Sequence, residues 1–168
     1  MNKKQLSERD ICTKYITPAL QNAAWDIQRQ VREEVSFTDG RIIVRKKMVS
    51  RGKAKRADYI LYYKPNIPLA LIEAKDNKHS IGAGMQQALE YAEILDIPFV
   101  YSSNGDGFLE HDRTCSREQQ LALNQFPSPE ALWQRYRQFR GWDSDQEQIV
   151  AQDYYFDQQR ECCHQNLC

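Results

Sequence analysis

Residues 58 to 75 read Asp58-Tyr-Ile-Leu-Tyr-Tyr-Lys-Pro-Asn-Ile-Pro-Leu-Ala-Leu-Ile-Glu73-Ala-Lys75. It contains two short apolar runs, Tyr59 to Tyr63 and Leu69 to Ile72, separated by a segment with two prolines and an asparagine. These residue types form turns, so the runs are predicted to be two adjacent antiparallel strands. Strands that are apolar on both faces are usually buried on both faces. The pair should therefore lie in the middle of a sheet that helices cover.

Two carboxylates and a lysine stand at the ends of these strands. If Tyr62 pairs with Leu69, then Asp58 falls opposite Glu73. Opposite side chains sit roughly 5 Å apart at Cβ, where like charges repel, and a divalent cation held by both would offset the repulsion. Lys75 follows Glu73 by two residues and returns to the same face of the strand. The pattern predicts a site for a metal ion and a lysine, and the alternative is an ion-pair trio on the surface.

The next segment has the period of a helix. Its apolar residues between Ser80 and Ile94, and the leucine that follows, form one core-facing stripe: Ile81, Met85, Ala88, Leu89, Ala92 and Leu95. Gln87 and Tyr91 stand four residues apart on a neighbouring face. They are either the polar flank of the helix or a pair directed at the site.

The remaining pattern alternates between helix and strand. The further predicted elements are a helix capped by Ser7 and ending near Ala24, strand regions at 28–37 and 41–44 around the turn Thr38-Asp39-Gly40, strands at 99–102 and 107–110, and a helix at 129–139. Such an order implies an α/β fold with a central mixed β-sheet flanked by helices.

Several segments along the chain share the pattern of one known family. They are Ser7-Glu8-Arg9-Asp10, Arg56-Ala57-Asp58-Tyr59, Ile72-Glu73-Ala74-Lys75, Gln87 to Leu95, Tyr101-Ser102-Ser103-Asn104-Gly105-Asp106-Gly107-Phe108, Pro129 to Tyr136, and Gln148 to Tyr155. The chain resembles the N-terminal endonuclease domain of the R (HsdR) subunit of type I restriction-modification enzymes. That domain is of the PD-(D/E)XK nuclease superfamily, whose Asp…Glu-x-Lys motif and Gln-x-x-x-Tyr accessory motif these segments resemble. Ala57 stands where the superfamily often has proline, and the residues after 157 match nothing in the family.

The resemblance implies a restriction-endonuclease-like core that hydrolyses DNA phosphodiesters without sequence specificity of its own. The metal it implies is Mg²⁺, whose ligands would be Asp58, Glu73, the backbone carbonyl of Ala74 and, as an additional acidic group, Glu8. ATP and S-adenosylmethionine are implied only for the full family complex and are not bound by this chain.

The resemblance also implies the catalytic set: Asp58, Glu73, Lys75, Gln87 and Tyr91. Lys75 would orient or activate the attacking water, and Gln87 and Tyr91 would steady the lysine or the scissile phosphate. Two other classes remain open: an autonomous repair or junction nuclease of the same superfamily, and a catalytically silent DNA-binding or docking module.

Charge is concentrated in one place although the chain of 168 residues has a net charge of zero. The segment before Asp58 is basic and has no acidic residue between its cations. These cations are Arg45, Lys46, Lys47, Arg51, Lys53, Lys55 and Arg56. Such cations can hold the phosphates of double-stranded DNA by counterion release. The alternative is a solvated hairpin loop.

The domain prediction places the endonuclease domain at residues 1–140, and a linker and polar, cysteine-containing tail at 141–168. Gly52-Lys53 is followed by alanine, so the Gly-Lys-Ser/Thr ending of an ATP-binding loop is missing and no motor is expected in this chain. By resemblance, its partners are that motor and the methylation and specificity subunits.

Cellular location follows from the same composition. The N-terminus is polar and no long apolar run follows, which predicts a cytoplasmic protein with no membrane contact. Five cysteines, an odd number, argue against a secreted disulfide framework. The tail residues Cys162, Cys163, His164 and Cys168 lack the spacing of a zinc finger.

Overall fold

A mixed β-sheet occupies the centre of the computed structural model, which describes residues 2–38, 41–42 and 54–152. Within these residues seven strands run in the order β2-β1-β3-β4-β5-β6-β7. Their bounds are Val31–Thr38 (β1), Arg41–Ile42 (β2), Lys55–Lys64 (β3), Ile67–Ala74 (β4), Phe99–Ser103 (β5), Gly107–Asp112 (β6) and Arg117–Ala122 (β7). Strands β3 and β4 lie in the middle and are largely buried, as their continuous apolar runs predict.

One pair of neighbours is parallel and the others are antiparallel. Strand β5 runs parallel to β4, from the pair Ala70 and Phe99 to the pair Ala74 and Ser103. A parallel pair needs a crossover connection, and helix α3 (Met85–Leu95) lies in this one. The predicted α/β fold with a central mixed sheet is confirmed.

The register of β3 and β4 agrees with the prediction near the carboxylates and departs from it near the turn. The observed pairs are Tyr59 with Ile72, Ile60 with Leu71, Leu61 with Ala70, and Tyr62 with Pro68. The predicted pairing of Tyr62 with Leu69 is therefore wrong, because a bulge between Leu61 and Tyr62 shifts the register by one residue. On the other side of the bulge, Asp58 and Glu73 each lie one residue beyond the first pair.

The N-terminal helical stretch begins where the cap predicts. The Ser7 hydroxyl accepts a 3.2 Å hydrogen bond from the Asp10 backbone N–H, and the Ser7 N–H donates to the Asp10 carboxylate at 3.1 Å. This capping box opens a continuous stretch made of α1 (Glu8–Ile11), a π-helical segment (Cys12–Ile16) and α2 (Thr17–Asn22). The stretch ends before the predicted Ala24, whose φ is +68°.

Two apolar layers hold the helices to the sheet. Ile11, Leu20 and Trp133 belong to the layer on which the N-terminal helices and α4 (Pro129–Arg140) pack. Ala88 and Ala92 of α3 belong to the second layer. Helices thus cover both faces, which is why the central strands have no polar face.

Other differences from the predicted elements are strand β7 (Arg117–Ala122), which the sequence pattern does not predict, the start of α3 and the helix after α4. Helix α3 begins at Met85 rather than Ser80, and α4 begins as predicted, with the Ser128 hydroxyl accepting from the Ala131 N–H at 3.2 Å. A further helix, α5 (Ser144–Val150), lies within the range predicted as a linker, and the domain boundary stays a prediction. Among the described residues, no helix is long and apolar enough to span a membrane.

Candidate active site

Strands β3 and β4 bring Asp58 and Glu73 to the same end of the sheet. Asp58 Oδ2 accepts a 2.8 Å hydrogen bond from the backbone N–H of Ala74, the residue after Glu73. In an antiparallel pair, the N–H and C=O of a residue face the same neighbouring strand. The Ala74 carbonyl therefore also faces the strand that carries Asp58.

Glu73 is a buried carboxylate that is only partly satisfied. Its side chain accepts a 3.1 Å hydrogen bond at Oε2 from Gln87 Nε2, while Oε1 is buried and has no hydrogen-bond partner among the described residues. Burial raises the pKa of Glu73 to about 9, and the negative charge of Asp58 adds to the rise while Lys75 opposes it. An unpaired buried oxygen is costly and marks a place where a hydrogen-bond donor or a cation would be stabilising.

Gln87 connects the strand to helix α3. Its Nε2 donates to Glu73 and also to the hydroxyl of Tyr91 at 3.1 Å, and its Oε1 accepts from Lys75 Nζ at 3.4 Å. Tyr91 in turn packs edge-on against Phe37, with ring centroids 5.1 Å apart. The Gln-x-x-x-Tyr pair thus lies beside the carboxylates, since one helical turn places both side chains on the same face.

Lys75 lies between the buried network and the solvent. Its Nζ is 3.8 Å from Glu8 Oε1 on the N-terminal helix, and its side chain is 22% exposed. The backbone N–H of Lys75 donates to the Ser103 carbonyl at 2.8 Å, which fixes the base of the side chain. The structure therefore places an ammonium group near the carboxylates with access to an incoming ligand.

A groove of about 420 Å³ opens beside Asp58, and Glu8, Arg56 and Asp76 help to line it. Of the predicted DNA-binding residues, Lys55 and Arg56 lie at the start of β3, where Arg56 is exposed. The other predicted contacts lie outside the described residues: Arg45, Lys46, Lys47, Arg51 and Lys53.

The oxygen atoms at this site fit magnesium better than they fit a metal that needs three or more protein side chains as ligands. In the described ranges, no group of three or more His, Cys, Asp or Glu side chains could hold a metal ion. Magnesium is usually bound by only one or two carboxylates and keeps several waters. Asp58, Glu73 and the Ala74 carbonyl match such a set, and the observation that favours it is the Glu73 oxygen without a partner among residues 2–38 and 54–152. Glu8 pairs with Lys75, and its role toward a metal stays a prediction.

Ser102 lies under the site, and the sequence pattern predicts no role for it. Its hydroxyl accepts a 3.0 Å hydrogen bond from the Gly84 N–H, at the start of α3. The signal in the sequence was a pair of serines ending a strand whose other residues are apolar or aromatic. Such polar residues in a buried strand must find hydrogen-bond partners.

Comparison with known proteins gives consistent matches. The profile of the family described as Type I restriction enzyme R protein N terminus matches residues 26–127. The chain is 50% identical over 161 residues to an Escherichia coli protein named Type I restriction enzyme EcoAI endonuclease subunit, covering 94% of this chain and 20% of that protein. It also matches the structure of an HsdR subunit fragment of a type I restriction enzyme from Vibrio vulnificus YJ016. That match has a TM-score of 0.76 and 40% identity, over 89% of this chain and 29% of that one. The chain thus spans about a fifth of the length of the curated relative.

Proposed function

Because the chain belongs to the family of type I restriction enzyme R protein N termini, we propose that it is the Mg²⁺-dependent DNA endonuclease domain of such a subunit. The observation that carries the proposal is the buried Glu73 carboxylate beside Asp58 and Lys75, one oxygen of which has no partner in the part of the chain that the structure describes. A carboxylate that served only a structural ion pair would have both oxygens paired. A carboxylate that binds a metal needs an oxygen that is free to contact the ion.

Asp58, Glu73 and the Ala74 carbonyl would hold Mg²⁺, with Glu8 as a further acidic group near the site. When bound, Mg²⁺ polarises a phosphoryl oxygen and lowers the pKa of a coordinated water. Glu73, with its raised pKa, gives up a proton when it becomes a ligand. The hydrogen bond from the Ala74 N–H keeps Asp58 in place for the same task.

The ammonium group of Lys75 acts on the phosphate. It would offset the negative charge that develops on the phosphoryl group and orient the attacking water. Gln87 keeps the lysine near Glu73, because its amide contacts both side chains. Tyr91 steadies that amide through its hydroxyl.

DNA contact would come from cations that recognise phosphates rather than bases. Arg56 is exposed beside the groove, and the basic segment that precedes it supplies further charges. Phosphate contacts carry no sequence information directly, so sequence choice would belong to the specificity subunit, with the methylation subunit and an ATP-driven motor as further partners. Double-stranded DNA in the cytoplasm is the proposed substrate.

A plasmid-cleavage assay tests the proposal, using the chain alone and as the N-terminal part of a complete R subunit with its partner subunits. Lys75→Met should reduce the rate of strand breakage in Mg²⁺ by about 100-fold or more, in the range of losses for a group that stabilises transition-state charge. Lys78→Met removes an exposed lysine three residues away and should cleave like the wild type. Equal rates for Lys75→Met and the wild type, or no cleavage by the wild type in either form, would contradict the proposal.

A further inference from the structure

The end of strand β5 carries polar side chains that cleavage chemistry does not itself require. Ser102 and Ser103 are both fully buried, and Asn104 is 5% exposed. Ser103 bonds within the turn that follows β5, where its hydroxyl donates to the Gly107 carbonyl at 2.7 Å. Ser102 and Asn104 bond to a different part of the chain, the segment 76–84 that joins Lys75 to α3.

Three hydrogen bonds join this segment to Ser102 in β5 and to Asn104, the residue that follows β5. The Ser102 hydroxyl accepts from the Gly84 N–H at 3.0 Å. The side-chain amide of Asn104 donates to the backbone carbonyl of His79 at 2.8 Å. The backbone carbonyl of Asn104 accepts from the side-chain amide of Asn77 at 3.0 Å. The segment is therefore held in its first half, at Asn77 and His79, and at its end, at Gly84.

Gly84 transmits the position of β5 to the site. A Cβ atom at residue 84 would lie 3.0 Å from Ser102 Oγ and 3.1 Å from the Glu73 Cβ, so the backbone there sits directly against both residues. Gln87 follows three residues later, in the first turn of α3, and reaches Glu73 and Lys75. A displacement of Gly84 would carry Gln87 with it.

We propose that Ser102 and Asn104 are positioning residues, which hold residues 76–84 on the sheet and so set the place of Gln87 relative to Glu73 and Lys75. The inference rests on the proposed function for its effect on cleavage, but the contacts themselves can be tested without it. Small misplacements matter in such a site, since a shift of about 1 Å can cost roughly 100-fold in rate.

The adjacent serines provide a matched comparison. Ser102→Ala and Ser103→Ala remove the same group from equally buried neighbouring positions, and only the first removes a bond to the segment 76–84. The readout is the pair of Gln87 side-chain amide signals in ¹⁵N–¹H NMR spectra of the full chain, assigned with Gln87→Leu. Ser102→Ala should shift or broaden these signals and speed amide exchange at Gly84 at least about tenfold. Ser103→Ala should leave both unchanged.

Asn104→Ala provides a second measurement on the same segment. In this variant, backbone amide exchange should become faster over residues 77–84. In cleavage assays, both Ser102→Ala and Asn104→Ala should show a lower kcat with little change in KM for DNA. Unchanged Gln87 signals in Ser102→Ala, or the same change in Ser103→Ala, would overturn the inference. The NMR comparison tests whether Ser102 positions Gln87 even if the wild type does not cleave DNA. Absence of cleavage by the wild type would count against the proposed function and not against this inference.

Discussion

The backbone N–H of Ala74 donates a 2.8 Å hydrogen bond to Asp58 Oδ2. The Asp58 carboxylate therefore also links β3, which carries it, to β4, which carries Glu73 and Ala74. Glu73 differs, because one of its oxygens is buried without a partner among the described residues. The two carboxylates are therefore not equivalent. Removing Asp58 leaves a backbone donor unpaired, whereas replacing Glu73 with a neutral side chain removes a group that burial forces to keep its proton.

The first prediction concerns the pH dependence of stability. The pKa of Glu73 rises from 4.5 to about 9 on folding, so between these values the folded protein keeps a proton that the unfolded chain loses. Its contribution to the free energy of unfolding is full below pH 4.5 and is lost as the pH rises towards 9. One proton corresponds to a slope of at most about 1.4 kcal/mol per pH unit.

Glu73→Gln removes this titration, so its stability relative to the wild type should rise steadily from pH 5 to pH 9. Urea unfolding in the presence of a chelator measures the difference. Glu93→Gln, an exposed glutamate of α3, is the control and should follow the wild type. Parallel curves for Glu73→Gln and the wild type would show that Glu73 titrates normally.

The second prediction separates the two tasks of Asp58. Asp58→Ala leaves the buried Ala74 N–H without its acceptor, which should cost about 1–3 kcal/mol of unfolding free energy. Asp58→Asn keeps an acceptor oxygen and should cost less, although both variants should lose Mg²⁺ binding. Equal stability of the two variants in urea unfolding would mean that the hydrogen bond contributes nothing.

The third prediction concerns Arg56. Arg56→Ala should weaken binding to duplexes of unrelated sequence alike, and should reduce the slope of log K against log salt by about 0.9 if one phosphate contact is lost. Arg117→Ala removes an exposed arginine from β7, at the other end of the sheet order, and should leave the slope unchanged. Fluorescence anisotropy at several salt concentrations measures the affinity of each variant and its salt slope. An unchanged slope for Arg56→Ala would mean that Arg56 contacts solvent and not a DNA phosphate.

Local sequence patterns were sufficient to predict the central strands and the shared helix face of Gln87 and Tyr91, while only the family resemblance directed that pair at the site. The apolar runs predict β3 and β4, and a spacing of four residues places Gln87 and Tyr91 on one face of α3. Ser128 likewise predicts the start of α4. These features depend on periodicity and capping, which neighbouring residues determine.

Other features depend on contacts that a pattern does not contain. The bulge after Leu61 follows from how β3 meets the turn and the neighbouring strand. Strand β7, Arg-Glu-Gln-Gln-Leu-Ala, was missed because it is polar and mostly exposed and pairs with β6 alone in the described sheet. The bond from Gly84 to Ser102 joins residues that are 18 positions apart and becomes visible only when β5 lies next to β4.

Calorimetric titration of Mg²⁺ into the wild type and Glu73→Gln at pH 7.5 tests whether Asp58 and Glu73 form a magnesium site. Repeating the titration in two buffers of different ionisation enthalpy gives the number of protons released. The wild type should bind Mg²⁺ with release of close to one proton, because Glu73 is protonated before binding, and Glu73→Gln should show no binding. Equal affinity of the two proteins for Mg²⁺ would show that Glu73 is not a ligand, and no binding by the wild type would show that the two carboxylates form no magnesium site.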